Sequence, residues 1–227
     1  MKISEEQHNF INEKLRCTGS HHSGILDTTD AHLLPIILWD PLAGNEISLS
    51  CKYHGVQLTD TGLWTHDKTL KSRSPRILYH TNTNVLLISK LYVCSTCEKE
   101  ARRSVDAFVM AHHPYLLGQL PKVKIPLFHL FSKAGVTRAA YEFIVNLSLA
   151  GTSFHEIETC FERFHGFNIA LHGNPDPVNS LKHQSPSWKL IKDIFMLDFR
   201  LRLGFYEDEM RKIKPESLCI DHTFKAR

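Results

Sequence analysis

The chain has 227 residues, 42% of them hydrophobic and 22% charged, the make-up of a folded protein with a core spread over one or two domains. Its formal net charge of +3 is too small to argue a polyanionic partner unaided. No run approaches the roughly 18 apolar residues of a membrane span, and the polar start Met1-Lys-Ile-Ser-Glu-Glu-Gln-His8 lacks the apolar core of a signal peptide, so no membrane role and an intracellular, reducing compartment are expected.

In chain order, Glu5 to Arg16 reads as a short helix, followed by a polar Gly/Ser/His/Thr/Asp stretch; residues 1–32 are expected to be a mobile N-terminal segment. Leu33 to Pro41 is apolar and bounded by prolines, the pattern of an extended strand. Next come two ligand-type pairs, Cys51-x2-His54 and Cys94-x2-Cys97. Two intervening residues let both side chains of a pair converge on one ion from a tight turn, and two such turns on neighbouring strands close a four-coordinate shell. The layout predicts a structural zinc ion (Zn2+) held by Cys51, His54, Cys94 and Cys97, in a zinc-ribbon-like domain over residues 33–110. Cys-x2-Cys is the more usual first pair, and His66 and His80 are possible substitutes for His54. The competing reading is of reduced cysteines buried as small hydrophobes. Cys17, Cys160 and Cys219 have no such partner, and Cys160 falls on an apolar helix face.

Between the pairs, Arg76–His80 and Val85–Val93 are rich in β-branched and aromatic residues, with turn-forming Thr81-Asn-Thr-Asn84 between them. The second strand runs straight into Cys94. From Cys51 to Arg103 there are nine Lys or Arg against four Asp or Glu, an excess of five positive charges. The densest part carries Lys68, Lys71, Arg73 and Arg76, which reads equally as a phosphate-contacting DNA patch or as a solvated loop.

Residues 111–213 are expected to be mainly helical. Ala111–Pro126 contains three prolines and reads as a connector. Thr137 then caps a helix with Ala140, Phe143, Ile144 and Leu147 at helical spacing, and Gly151 ends it. Ser153-x2-Glu156 has the form of a capping box opening a second helix along Phe154, Ile157, Phe161 and Phe164. The pair is a helix-turn-helix candidate, but Glu156, Glu158 and Glu162 against Arg163 alone give a poor charge for a groove-reading helix, which favours a packing corner. Ser185 as cap and Pro186 as first residue open a long helix, Pro186 to Ile213, whose apolar residues surround much of its circumference and call for a partner. No nucleophile-elbow Gly-x-Ser-x-Gly or phosphate-loop Gly-x4-Gly-Lys-Ser/Thr is present.

The landmarks Leu38-Trp-Asp-Pro41, Leu91-Tyr-Val-Cys-Ser-Thr-Cys97, Ala111-His-His-Pro114, Ile125-Pro-Leu127, Gly135-Val-Thr137, Gly151-Thr-Ser153 and Asp221-His-Thr-Phe224 occur in that order. In this the chain resembles a transposon-associated zinc-ribbon domain of large transposase-derived proteins of the Kyakuja-Dileera-Zisupton kind, from about residue 33 to the end. The resemblance implies a mobile-element origin, zinc binding, and an α+β architecture in which residues 214–227 begin an RNase H-like core. There Asp221 would be the first acid of a DDE-type site. This chain has His54 where a Cys is more usual, and it ends six residues after Asp221. Two-metal phosphoryl chemistry needs two or three converging carboxylates, so the chain as it stands is expected to be non-catalytic, a truncated or domesticated remnant.

The function expected is therefore a zinc-stabilised, transposase-derived DNA-binding or interaction fragment, with a nuclear location following from DNA binding. The alternatives are a catalytically incomplete half of a DDE-type transposase and a protein-interaction scaffold docking a partner through the Pro186–Ile213 helix. Asp193, Asp198, Glu207, Asp208 and Glu209 are taken as solvated positions of that helix.

Overall fold

The computed structural model describes residues 3–18, 25–28, 33–43, 47–67, 75–100, 108–121, 126–131, 134–172 and 184–212. In chain order these form α1 (Glu5–Thr18), β1 (Ile25–Leu26), β2 (Ile36–Trp39), β3 (Thr59–Trp64), β4 (Arg76–Tyr79) and β5 (Val85–Val93). There follow α2 (Ser95–Glu100), β6 (Phe108–Met110), α3 (Pro114–Leu117), β7 (Phe128–Leu130) and β8 (Gly135–Thr137). Three longer helices close the described chain: α4 (Arg138–Leu149), α5 (Phe154–His172) and α6 (Trp188–Lys212). The fold is mixed α+β.

Strand β5 organises the sheet because both of its halves are interior. Its first half lies between β2, parallel, and β4, antiparallel; its second half lies between β3 and β6, both antiparallel. All nine residues are consequently buried, which is why the strand reads as a near-continuous apolar run. Side chains still alternate. Val85 and Leu87 join Ile37 and Trp39 in one core, while Leu86 and Ile88 join Ile36 and Leu38 in another.

The second of these cores is covered by α1, which contributes Phe10 and Ile11. Gln7 holds the helix in register: its amide donates to the Leu34 carbonyl at 3.0 Å and accepts from the Leu34 N–H at 2.7 Å. The helical part of the segment expected to be mobile is thus packed against the sheet.

The expected boundary between residues 110 and 111 is crossed by the sheet itself. Strand β8 pairs parallel to β4 through Leu78↔Gly135 and Tyr79↔Val136, and β7 pairs antiparallel to β8. A Cβ on Gly135 would sit 2.5 Å from Leu78 Cδ2 and 2.8 Å from Leu130 Cδ2, so any larger residue there would have to move both leucine side chains. Val136 then reaches into a third core with Ala140, Ile144, Ile157, Phe161, Ile191 and Ile194, where α4, α5 and α6 meet. Helices α4 and α5 pack on each other through this core.

The helix ends follow their local signals, with one shift. Thr137 accepts from the Ala140 N–H, Gly151 takes φ +86°, and Ser153 and Glu156 bond each other's backbone N–H. Helix α6 begins two residues later than expected: Ser187, not Ser185, accepts from the Leu190 N–H at 3.4 Å, and Pro186 is buried ahead of the first turn. One expected solvated acid is also a core residue. Asp198 is 3% exposed and accepts from the Tyr141 hydroxyl at 2.9 Å and from Arg202 at 3.1 Å. Its position on the face of α6 turned to α4 accounts for the burial.

Candidate metal centre

The first ligand pair sits at the tip of a short hairpin. Leu58 N–H donates to the Leu49 carbonyl and Cys51 N–H to the Val56 carbonyl, both at 2.8 Å. The chain reverses between them: Gly55 N–H closes on the Cys51 carbonyl at 2.9 Å, with Gly55 at φ +64°, a conformation costly for any residue with a Cβ. Gln119 fastens the base of the hairpin by accepting from Ser50 N–H at 2.8 Å and donating to its carbonyl at 3.0 Å. The second pair begins where β5 ends. Cys94 immediately follows the strand, its carbonyl accepts from Glu98 N–H at 2.9 Å to start α2, and Cys97 lies one helical turn on.

These two turns bring the four ligand atoms together. His54 Nδ1 lies 3.3 Å from Cys97 Sγ, 3.7 Å from Cys94 Sγ and 3.8 Å from Cys51 Sγ, and Cys51 and Cys97 sulfurs are 3.6 Å apart. All four atoms fall within 4.8 Å of one another, a group that could hold a metal ion. Cys51 and Cys94 are buried and Cys97 and His54 half-buried. The two substitutes for His54 lie elsewhere: His66 meets Asn12 Oδ1 at 3.1 Å, and His80 meets the Thr137 hydroxyl at 2.8 Å.

The electrostatics suit a cation. Burial, the largest single influence, pushes the Cys51 and Cys94 thiols up, but hydrogen bonds together outweigh it: the Tyr53 and His54 amides at Cys51, the Thr96 and Cys97 amides at Cys94, and the His54 and cysteine side chains at both. Cys51 is lowered and Cys94 falls to about 6. Cys97 goes the other way, pushed up to about 12 by burial and by the two sulfurs beside it. A third negative charge is unwelcome there unless a cation accompanies it. His54 is raised above its ordinary value by the sulfurs of Cys51 and Cys94.

One contributor was missed in the sequence. His54 Nε2 lies 3.3 Å from Glu100 Oε2, an arrangement in which a neutral His54 keeps its proton on Nε2 and leaves Nδ1 to a metal ion in place of its hydrogen bonds to the sulfurs. Glu100 is three residues past Cys97 on α2, a helical spacing that puts both on one face.

The remaining candidates are distributed differently. Arg76 is half-buried, and its guanidinium donates to the Phe131 carbonyl at 3.3 Å, tying β4 to the end of β7. Lys68, Lys71, Arg73 and Asp221 lie outside the described residues. Several landmark motifs prove to be contacts that hold the sheet. Asp40 accepts from the Tyr92 hydroxyl, and Lys90 Nζ lies between Asp60 at 3.1 Å and Asp40 at 4.0 Å. Trp39 donates to the Ala111 carbonyl at 3.2 Å, and His112 meets the Ser89 hydroxyl at 2.6 Å.

No family model, curated protein or solved structure matches this chain. None of the described helices is long and apolar enough to cross a membrane.

Proposed function

We propose that Cys51, His54, Cys94 and Cys97 bind one zinc ion as a closed structural site, and that the protein is a non-catalytic, zinc-dependent DNA-binding module of transposase-derived origin. The observation that carries the zinc reading is the spacing of the four ligand atoms. Bond lengths of about 2.3 Å to sulfur and 2.0 Å to nitrogen put tetrahedral neighbours about 3.8 Å (S···S) and 3.5 Å (S···N) apart. Four of the six separations, 3.3–3.8 Å, match that polyhedron, and all six lie within 4.8 Å. Three thiolates and one imidazole are the donors zinc favours, and four protein ligands leave no coordination position for a substrate. The ion would tie the 49–58 hairpin to the end of the central strand.

The DNA reading rests on the charge excess between Cys51 and Arg103 and on the resemblance of the landmarks. Metal analysis of the purified chain should find about one zinc per chain, lost in Cys94→Ser and in His54→Ala. Equal metal in wild type and Cys94→Ser would remove the reading. Duplex binding that neutralises about four phosphates should give a log–log salt slope of about −3 to −4, flattened when Lys68, Lys71, Arg73 and Arg76 are replaced by Gln.

A second reading, a protein-interaction scaffold, is favoured by the far half of α6, where Leu201 is 71% and Phe205 63% exposed. Duplex affinity that does not respond to salt would put it first.

A further inference from the structure

A cavity of about 230 Å³ lies beside the first ligand pair, between the hairpin tip, β6 and the start of α3. Cys51 and Cys97 form part of its wall, and its other walls include Lys52, Tyr53, Val109, Met110, His113 and Tyr115. It is smaller than the roughly 300 Å³ at which sites for drug-sized ligands begin, so it admits one ring system. Two features of its rim stand out. Tyr53 is 80% exposed and Tyr115 36% exposed, although a buried apolar floor is at hand in Leu58 and Leu116. Lys52 lies 5.9 Å from the centre of the Tyr53 ring. Among the described residues that line the cavity, none carries a carboxylate.

We propose that this cavity binds one base of a single-stranded nucleic acid, stacked on Tyr53 and Tyr115, with Lys52 on the adjoining phosphate. The argument is one of complementarity. Two exposed tyrosines, a neighbouring cation and a lining free of carboxylates favour a ligand that is flat, π-rich and anionic. Base–aromatic stacking is tolerant of sequence because every base has a π-face. A base presented from duplex DNA is already stacked, so the site discriminates for unpaired strands. The site rests on the zinc reading through Cys51 and Cys97, which line the cavity, and through the hairpin tip that carries Lys52 and Tyr53.

The test uses the full chain loaded with zinc and a fluorescein-labelled oligothymidylate of about ten nucleotides, within the usual site sizes of single-strand binders. The same strand made abasic, its duplex, and an acidic tyrosine-containing peptide serve as competitors. Binding to the thymidylate should be tighter than to the abasic strand, and Tyr53→Ala and Tyr115→Ala should each weaken it about 5- to 150-fold. Tyr53→Trp should restore it. Lys52→Gln should make the salt slope shallower by about 0.7. Unchanged affinity in both tyrosine variants, equal affinity for the abasic strand, or preferential displacement by the peptide would overturn the proposal. Zinc measured in the same samples separates the two readings: stacking without metal sinks the zinc site alone, and metal without stacking sinks this site alone. Tyr53 is well exposed, so its loss leaves the core intact, and retained zinc in the variant verifies that the hairpin tip is formed.

Discussion

Metal affinity should fall steeply as the solution is acidified, and Cys97 sets the minimum steepness. A metal ion takes the thiolate, so any proton held in the metal-free state must leave on binding. Cys97, pushed up to about 12, keeps its proton throughout the neutral range, so it contributes one whole proton per ion bound. One displaced proton changes the dissociation constant about tenfold, or about 1.4 kcal/mol, per pH unit. From about pH 8 to about pH 6, Cys97 alone should therefore weaken binding about a hundredfold. Cys94, at about 6, is ionised over most of that window and adds steepness only at its lower end. His54, raised above its ordinary value, steepens the dependence further wherever it is protonated. The assay is competition against a chromophoric zinc chelator across pH, with proton release followed by a dye in weakly buffered solution. A slope of at least one decade per pH unit and at least one proton per ion are expected. Affinity independent of pH would show that Cys97 gives up no proton to the ion and would refute the reasoning; zinc content of Cys97→Ser then decides whether Cys97 is a ligand.

Four substitutions test other parts of the structure. Glu100→Gln should weaken zinc binding about 10- to 100-fold without changing stoichiometry, because it loosens the hold on His54 Nε2; this is read by the same competition assay. Lys90→Met should cost about 1–3 kcal/mol in urea unfolding, since it removes the cation beside Asp60 and the Asp40 side chain, 5% exposed, while Asp40 keeps its bonds from Tyr92 and Leu42. Tyr141→Phe should cost about 1–3 kcal/mol by removing the donor to buried Asp198, in the same measurement. Gly135→Ala should cost about 1–3 kcal/mol by overpacking, its Cβ meeting Leu78 Cδ2 at 2.5 Å; an unchanged urea midpoint would show that Leu78 and Leu130 turn aside at no cost.

What the sequence by itself determined is mostly short-range. The strand pair on either side of Thr81–Asn84, the Thr137 cap, the Gly151 stop and the Ser153–Glu156 capping box each depend on residues within a few positions of one another. So do the two ligand pairs, because each converges on its own tight turn. Tertiary structure decided what long-range contact alone can settle. Nothing local to Ile36–Trp39 or Gly135–Thr137 says that these strands run parallel to β5 and β4, and the partners lie about fifty or more residues away, where closure is a matter of the whole fold. Choosing His54 over His66 and His80 required the end of β5 to meet the 49–58 hairpin, since any of the three has a suitable nitrogen. Asp198 looks like a solvated helix position until Tyr141 of α4 is set against it, because the burial of a charge depends on what packs over it and not on the residues beside it in the chain.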